Sequence, residues 1–267
     1  MLKEYRFDGV AVFRMGRTLG PVVPYVVHSF LLGEVLIDTG TAWAGKEFAR
    51  ALEGRCPSLV LNTHHHEDHI GNNRLLSERG ARILAPSRAL PYLENPRRIN
   101  LRLYQRVVWD WPRPSGGEAL GDRVEAGEYC LEVLPVSGHS EDHVCFFEAE
   151  RRWLFTGDMF CGTRNIYLRQ DEDFHPLLDS LKRLRELRPS VLFCSLMGVV
   201  EEGGAALEKK IAFMEEIAEK VPRLREAGKS PAGIRKALLG GEDRMYYMTG
   251  GHFSKQNLID SILKHDR

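Results

Sequence analysis

The sequence predicts a layered α/β domain whose functional site lies at one edge of a sheet. From residue 35 onward, short apolar runs alternate with amphipathic stretches, which is the pattern of sheets covered by helices. The run at residues 57–61 is typical of a short buried strand, and a His-His-His-Glu-Asp-His stretch follows it at 64–69. Ligands of open α/β sheets bind at the carboxyl ends of the strands. We therefore expect this polar stretch to lie at the centre of the site.

Apolar periodicity and Gly or Pro breaks predict the individual elements in order. Strands are predicted at residues 10–13, 25–27, 30–32, 35–37, 57–61, 82–85, 129–136, 144–147, 153–155 and 191–194. Helices are predicted at residues 42–52, 73–79 and 174–188. Residues 201–265 look helical, with glycine and proline breaks. An alternating α/β region is therefore expected to precede a helical one.

Composition narrows the class of protein. Lys plus Arg and Asp plus Glu both number 37, so the chain has no overall charge suited to binding a polyanion. The 5 cysteines form no Cys-x-x-Cys pair, which suits a reducing cytoplasm better than a disulfide framework. No apolar run approaches the length of a membrane span, and the N-terminal residues lack a signal-peptide core. We expect a cytoplasmic protein that does not enter a membrane.

The polar loop has the residue types of a metal site. Alternate residues of a chain leaving a strand can reach one point, so His64 and His66 are expected to share a metal ion. Asp68 and His69 then turn toward a second position. Zinc prefers imidazole and carboxylate ligands, although iron and manganese accept them too. The loop therefore predicts one or two zinc ions, with iron or manganese as alternatives.

Four motifs resemble, in type and order, those of the metallo-β-lactamase superfamily. They are Asp38-Thr39-Gly40, the H-x-H-x-D-H stretch at 64–69, Ser137-Gly138-His139-Ser140 and Phe155-Thr156-Gly157-Asp158. The resemblance implies an αββα four-layer sandwich, with two facing sheets, helices outside and metals at one edge. We expect residues 1–200 to form this domain and residues 201–267 to form a helical C-terminal extension.

The resemblance also assigns roles to residues. It implies that His64, His66 and His139 bind the first metal, that Asp68 and His69 bind the second, and that Asp158 is shared. Asp38 is expected to orient a metal-bound histidine from behind, which is how the tautomer of such ligands is usually fixed. His143 lies close in sequence to His139, and we expect it to be a neighbour of the site and not a ligand.

The chain departs from the family pattern after the strand at 191–194. A histidine usually follows that strand and completes the second metal site, whereas this sequence has Leu196 and Met197. Leucine cannot coordinate a metal, and a thioether is a soft ligand that suits a hydrolytic metal pair poorly. One candidate replacement is His252, which follows Gly250-Gly251 in a flexible polar turn. A solvated loop histidine is the alternative.

Residues 91–116 interrupt the alternation of strands and helices. They contain a predicted helix with four arginines, Arg97, Arg98, Arg102 and Arg106. Insertions at this place in the superfamily commonly lie over the active site. Two interpretations stay open, a basic and aromatic lid that suits an anionic or partly apolar substrate, or a solvated helix with its aromatics in the core.

The resemblance implies a metal-dependent hydrolase, in which metal-bound hydroxide attacks a small ester, thioester or lactone. A bound divalent metal lowers the pKa of its water toward neutrality. Asp68 is the expected catalytic residue that orients the water and moves a proton. The sequence indicates no substrate-binding residue and no oligomeric state.

Two other classes of enzyme remain open. One is a mononuclear iron oxygenase that resembles the persulfide dioxygenases, which share this fold. The other is a nucleic-acid-processing metallohydrolase that uses the C-terminal helices for binding. Nucleic acid is the less expected partner because the chain has no basic excess.

Overall fold

The chain folds into two β-sheets packed face to face, in a computed structural model that describes residues 1–264. The seven strands of the first sheet follow one another in space as they do in sequence: β1 (Leu2–Phe7), β2 (Val10–Met15), β3 (Val27–Leu32), β4 (Val35–Ile37), β5 (Leu59–Leu61), β6 (Arg82–Ala85) and β7 (Glu118–Ala119). β1 to β4 pair antiparallel, and β4 to β7 pair parallel. The carboxyl ends of β4 and β5 therefore meet at one edge.

The other strands in the described part of the chain are β8 (Arg123–Ala126), β9 (Tyr129–Pro135), β10 (Val144–Glu148), β11 (Trp153–Gly157), β12 (Leu168–Arg169), β13 (Val191–Cys194), β14 (Gly198–Glu201) and β15 (Phe253–Ser254). Six of them form the second sheet, in the order β14-β13-β11-β10-β9-β8. β12 and β15 pair into a separate antiparallel ribbon.

Helices cover the outer face of each sheet. Those on the first sheet are α1 (Gly45–Ala51), α2 (Asn73–Ser77), α3 (Leu90–Glu94) and α4 (Leu103–Val108), with 3-10 turns at Ala42–Ala44 and Pro96–Ile99. Those on the side of the second sheet are α5 (Phe174–Glu186), α6 (Gly203–Glu226), α7 (Pro231–Leu239) and α9 (Lys255–Leu263), while α8 (Arg244–Thr249) packs beside β15. Of the helices within residues 1–264, none is both long and apolar enough to cross a membrane. The predicted αββα sandwich with helical C-terminal region is confirmed.

Strands that are buried on both faces explain the long apolar runs in the sequence. Along β2, Val10 and Val12 face the second sheet, while Phe13 faces the helices. Along β10, Phe146 lies between the sheets and Phe147 packs under the C-terminal helices. Fully burying side chains of this size contributes about 1.5–3 kcal/mol each. Three apolar layers therefore hold the four structural layers together.

Two local predictions were wrong. The run at 25–27 is not a strand of its own, since β3 begins at Val27 and continues to Leu32. His28 lies within this strand, is buried in the sheet, and has its Nδ1 2.8 Å from the Ser195 carbonyl oxygen. The continuous helix predicted from residue 97 to 106 is instead a 3-10 turn followed by α4. Asn100, with φ of 53°, separates the two pieces.

The C-terminal helices share a core with the second sheet. Ile211 of α6 and Leu258 of α9 pack in one cluster with Leu181 of α5 and Leu192 of β13. β14 ends at Glu201 and α6 begins at Gly203. The division of the chain between residues 200 and 201 stays a prediction, and residues 265–267 of the expected extension lie outside the described residues.

Gly138 sets the direction in which the chain leaves β9. Its φ is 109°, and a Cβ atom there would lie 2.3 Å from the backbone nitrogen of Leu177 on α5. Only glycine fits a left-handed backbone at such close approach. Gly127 offers a comparison, since its φ is 60° but a Cβ would meet nothing within 4 Å.

We expect Gly138→Ala to destabilise the fold far more than Gly127→Ala. The control change adds only left-handed strain of about 1–2 kcal/mol. Gly138→Ala adds overpacking, for a total of about 3–5 kcal/mol. Urea denaturation of metal-free protein measures both. Equal losses would show that the contact with α5 does not constrain Gly138.

Candidate metal centre

The site is built at the shared edge of β4 and β5. Asp38 follows β4 and is buried, and its two carboxylate oxygens accept hydrogen bonds from the backbone nitrogen and the hydroxyl of Thr63, each at 2.8 Å. The same carboxylate lies 2.7 Å from Nδ1 of His69. Thr63 directly precedes the histidine stretch. Asp38 therefore fixes both the start of this loop and the ring at its end.

Three ring nitrogens converge on one point. His66 Nδ1 lies 2.6 Å from His64 Nε2 and 3.0 Å from His139 Nε2. The two Nε2 atoms are 3.2 Å apart. Burial lowers the pKa of His64 and of His66 well below the ordinary value, so both rings are neutral. The Nε2 atoms of His64 and His139 therefore turn their lone pairs toward one point, which a cation there would stabilise.

Asp158 adds a carboxylate to this cluster. Its Oδ2 lies 3.4 Å from His139 Nε2, and one ligand atom from each of the four residues falls within 4.8 Å of the others. Burial acts to raise the pKa of Asp158, but the charge of His69 and its hydrogen bond outweigh burial and lower that pKa. Three imidazoles and one ionised carboxylate match the ligands of a divalent metal such as zinc. The residues present therefore fit a metal ion.

Each of these three rings is held at its outer nitrogen. His64 Nδ1 lies 2.9 Å from the Thr63 hydroxyl, and His139 Nδ1 lies 2.6 Å from Glu172 Oε1. His66 differs, because its Nε2 lies 2.9 Å from Nη2 of Arg169. A guanidinium can only donate, so His66 accepts there. The contacts at Nδ1 leave Nε2 of His64 and Nε2 of His139 to face the metal position. Nδ1 of His66 lies at the same point, but it carries the ring proton while Nε2 accepts from Arg169, so His66 binds a metal through Nδ1 only after that proton shifts and the contact with Arg169 breaks.

Sequence reasoning missed Glu172 and Arg169. Arg169 ends β12, and Glu172 lies between β12 and α5. Asp171, Glu172 and Asp173 are consecutive acids there, and nothing local distinguishes the one that reaches His139. Asp142 was also passed over as a site residue. It accepts from the backbone nitrogen of His65 and lies 2.9 Å from its ring, so His65 turns away from the metal position.

A second cation position adjoins the first. His69 Nε2 lies 3.3 Å from Asp158 Oδ1 and 3.9 Å from Asp68 Oδ1. Burial raises the pKa of Asp68 to about 8. Burial opposes ionisation of His69, yet the carboxylates of Asp38, Asp158 and Asp68 outweigh it and raise its pKa well above the ordinary value. This half of the site is therefore arranged for one positive charge, either a proton on His69 or a metal.

The two residues where the family pattern has a histidine, Leu196 and Met197, face different surroundings. Leu196 lines the cavity beside Asp158, whereas Met197 points outward with 54% of its surface exposed. The Ser195 hydroxyl donates a hydrogen bond to the Asp158 carboxylate. Within residues 1–264, the second position therefore has no fourth ligand from this strand end.

His252 does not take the place of that ligand. Its Nδ1 lies 2.7 Å from the Tyr104 hydroxyl, and its Nε2 lies 3.6 Å from Asp171 Oδ1. The ribbon of β12 and β15 holds this turn, and the His252 carbonyl accepts from the Gln170 backbone nitrogen at 3.0 Å. Both ring nitrogens of the buried His252 therefore face other partners, which supports neither the possible replacement of the missing ligand nor a solvated loop histidine.

The cavity above the cluster, here called the chamber, has a volume of about 270 Å³. Its floor consists of metal-site residues, and its walls are mostly aromatic or apolar: Tyr25, Tyr104, Trp109, Tyr167, Leu196, Met245 and Phe253. Beside it lies a polar cleft of about 410 Å³. The cleft shares His66, Gln105 and Arg169 with the chamber.

The arginines of the 91–116 segment divide between two places. Arg97 and Arg106 lie over the Trp111 ring, with 4.5 Å and 5.4 Å from guanidinium carbon to ring centre. Arg102 reaches the polar cleft, where it donates to Gln170 at 2.6 Å. Arg98 is exposed. Tyr104 and Gln105 of α4 border the chamber, so the segment covers the site while only one of its arginines faces it.

Comparison with known proteins agrees with this geometry. The family model of the metallo-beta-lactamase superfamily matches residues 22–195. A hydroxyacylglutathione hydrolase of Erythrobacter litoralis is 26% identical over 227 residues, which are 80% of each chain. One of Nostoc punctiforme is 31% identical over 132 residues, 48% of this chain and 45% of the relative. The matched part thus spans most of one relative and about half of the other.

Solved structures share the fold. A metallo-beta-lactamase family protein from Thermus thermophilus superposes with a TM-score of 0.71 at 21% identity, covering 97% of this chain and 94% of that one. A beta-lactamase domain protein from Burkholderia ambifaria superposes with a TM-score of 0.70 at 20% identity, covering 98% of this chain and 89% of that one. The likeness extends over nearly the whole chain, including the C-terminal helices.

Glu172→Gln should weaken metal binding. The amide cannot hold the His139 ring as the carboxylate does, and loss of such an orienting partner costs about 10–100-fold in metal affinity. Competition with a chromophoric chelator for Zn²⁺ measures the change. Glu150→Gln, an exposed glutamate in a turn, is the control and should bind normally. Unchanged affinity in Glu172→Gln would show that the contact does not orient His139.

Leu196→His should strengthen binding of a second Zn²⁺, because the new imidazole would enter the cavity beside Asp158. Met197→His should have little effect, since Met197 points to solvent. Titration of each variant by calorimetry gives the number of ions and their affinities. The view that Leu196 occupies the place of the missing ligand would be contradicted by either of two results. One is tight binding of two Zn²⁺ ions by the wild type, and the other is an equal effect of Leu196→His and Met197→His on the second affinity.

Proposed function

This chain belongs to the metallo-beta-lactamase superfamily, and we propose that it is a zinc-dependent hydrolase that cleaves thioesters. Membership of this superfamily supports a metal-dependent hydrolase. One observation carries the finer proposal, which is that the nitrogen cluster and Asp158 lie at the floor of a largely apolar chamber. A scissile carbonyl held there would sit against the metal position, with its apolar part against the walls.

Zinc fits the ligand types best. His64, His66 and His139 would hold the first ion together with Asp158, and Asp68 and His69 would hold a weaker second ion that shares Asp158. Zinc favours such sets of imidazole and carboxylate. A divalent ion bound there supplies a nucleophile at neutral pH, because it lowers the pKa of water, and it also polarises the attacked carbonyl.

The chain's own residues do the remaining work. Asp68 lies beside the second position, and its carboxylate would orient the attacking water and take its proton. The hydrogen bond from Ser195 and the contact with His69 hold Asp158 in place. Tyr104, Trp109 and Tyr167 form walls that exclude bulk water. Exclusion of water strengthens every electrostatic interaction at the reacting carbonyl.

A thioester is favoured over other acyl compounds by the relatives. Those reported above are named hydroxyacylglutathione hydrolases, and hydroxyacylglutathione is a thioester. A thioester also divides into two parts of different chemistry on either side of its carbonyl. The chamber has two neighbours of different chemistry, the polar cleft and an apolar surface near Tyr25.

A mononuclear iron oxygenase is the second candidate, and the incomplete second position favours it. A site with one well-built metal position and an apolar side chain in place of the missing ligand suits a single ion, and iron accepts histidine and carboxylate ligands. Elemental analysis of protein purified without a histidine tag, with oxygen uptake on a persulfide, separates the two candidates. Iron with oxygen uptake and no thioester cleavage would replace the hydrolase proposal.

Two substitutions separate metal binding from proton transfer. His139→Ala should lose the first metal and all thioester hydrolysis, while the fold persists because its core does not depend on metal. Asp68→Asn should keep the first metal and lower kcat by about 10²–10⁴-fold. Metal content and the rate of thiol release measure the two effects, and Asp260→Asn on the exposed face of α9 is the control.

A His139→Ala protein with full metal content would contradict the ligand assignment. Wild-type kcat in Asp68→Asn would remove Asp68 from the reaction.

A further inference from the structure

An apolar groove runs along the surface beside the chamber. It is lined by Leu19, Val22, Pro24, Leu103, Val107 and Met248, and these six residues define the apolar groove. They come from the loop between β2 and β3, from α4 and from α8. Leu103 has 76% and Val22 50% of its surface exposed. Large apolar side chains gathered in the open from three distant segments mark a binding surface.

Helix geometry places part of this surface. Leu103 and Val107 are four residues apart on α4, so they lie on one face of the helix. Tyr104 and Val108, at the next positions of the helix, also border the groove, and Tyr104 borders the chamber as well. The same short helix therefore borders the chamber and presents an apolar stripe to solvent. Nothing in the fold of α4 requires that stripe.

The groove is continuous with the chamber. It consists of two hollows of about 500 Å³ and about 540 Å³ that share Val22, Pro24, Arg244 and Met248. The first hollow also shares Tyr25, Tyr167 and Met245 with the chamber, and the second shares Tyr104. A path of apolar and aromatic side chains therefore leads from the metal position to the surface.

Tyr25 and Met245 stand where the chamber meets the first hollow. The Tyr25 hydroxyl donates to the Met245 sulfur at 3.1 Å, and the Tyr25 ring lies 6.1 Å from the Trp109 ring. Methionine has three rotatable bonds and adapts its shape readily. A flexible chain could therefore pass between these two side chains without disturbing the strands.

The polar cleft and the apolar groove, which both adjoin the chamber, differ in the charge of their lining residues. The polar cleft carries Arg102, Arg169 and Asp171 among its walls, whereas the groove is mostly apolar and has Arg102 and Arg244 among its lining residues. Asp243, the acid of the first hollow, is already paired with Tyr167 and with Lys255. An uncharged apolar chain suits the groove, and a polar group suits the cleft.

We propose that the apolar groove holds the acyl chain of the substrate, so that the enzyme acts on thioesters of long apolar acyl groups. This proposal rests on the thioester hydrolase function above. The carbonyl lies at the metal position, the acyl chain passes Tyr25 and Met245 into the groove, and the thiol part leaves through the polar cleft.

Chain length is the direct test. Thioesters of one thiol, N-acetylcysteamine, are compared with acetyl, butanoyl and octanoyl groups. Each methylene that is fully buried should raise kcat/KM about fourfold, and each that is half buried about twofold. The octanoyl thioester should therefore exceed the acetyl thioester in kcat/KM by about 50-fold or more. Equal values for acetyl and octanoyl would overturn the proposal while leaving the hydrolase function intact.

A double variant, Leu103→Asp with Met248→Gln, tests the groove itself. Leu103 is the first residue of α4, where an acid favours the helix, so the fold should persist. Octanoyl kcat/KM should fall about tenfold while acetyl kcat/KM stays within about twofold. Tyr247→Ser, on the same helix as Met248 and 74% exposed, should change neither. Parallel losses on both substrates would contradict the assignment.

Binding without catalysis separates this proposal from the proposed function. The octyl and ethyl thioethers of N-acetylcysteamine cannot be hydrolysed, and calorimetry measures their binding to chelator-treated protein. Tighter binding of the octyl compound, lost in the double variant, supports the groove even if every thioester proves inert. No preference for the octyl compound, or concentration-dependent dimers that the double variant abolishes, would assign the groove to another occupant and overturn the proposal.

Discussion

The Asp38 carboxylate ties together the two strand ends on which the site is built. It accepts from the backbone nitrogen and hydroxyl of Thr63 and contacts Nδ1 of His69. Each buried polar group left without its partner would cost about 1–3 kcal/mol. The Thr63 hydroxyl then holds His64, so the orientation of two rings depends on one side chain. Asp38 adopts a left-handed backbone, φ 56°, which three such contacts can offset.

The sequence predicts those site residues whose positions are set by their neighbours along the chain. His64 and His66 follow a short strand that the sequence predicts from its apolar run. The strands of the two sheets are buried on both faces, so they appear in the sequence as continuous apolar runs. Glu172 could not be found in this way, because Asp171 contacts Arg169, Glu172 contacts His139 and Asp173 caps α5. Only the packing of α5 against β9 decides which of three neighbouring acids reaches the metal site. The same holds for His252, whose direction is set by a ribbon between distant segments.

Leu196 links two properties of the site that would otherwise be separate. It offers no ligand atom to the proposed second metal position, and it adds an apolar wall to the chamber. An imidazole at this place would bring a polar ring beside Asp158 and would draw the chamber toward polar substrates. A leucine there makes the two cation positions unequal and keeps the wall next to the reacting carbonyl dry. The chemistry of the metal centre and the polarity of its substrate are thus coupled through one residue.

The ribbon of β12 and β15 has a consequence for how the protein is made. Arg169 of β12 pairs with Phe253 of β15, and the same Arg169 donates to His66. A ribosome synthesises the chain from the N-terminus, so His64 and His66 emerge long before the segment that pairs with Arg169. The ribbon can close only after Ser254 has left the ribosome. The nascent chain therefore carries its histidine loop until the segment around Ser254 has been made, and only then can the ribbon hold Arg169 against His66.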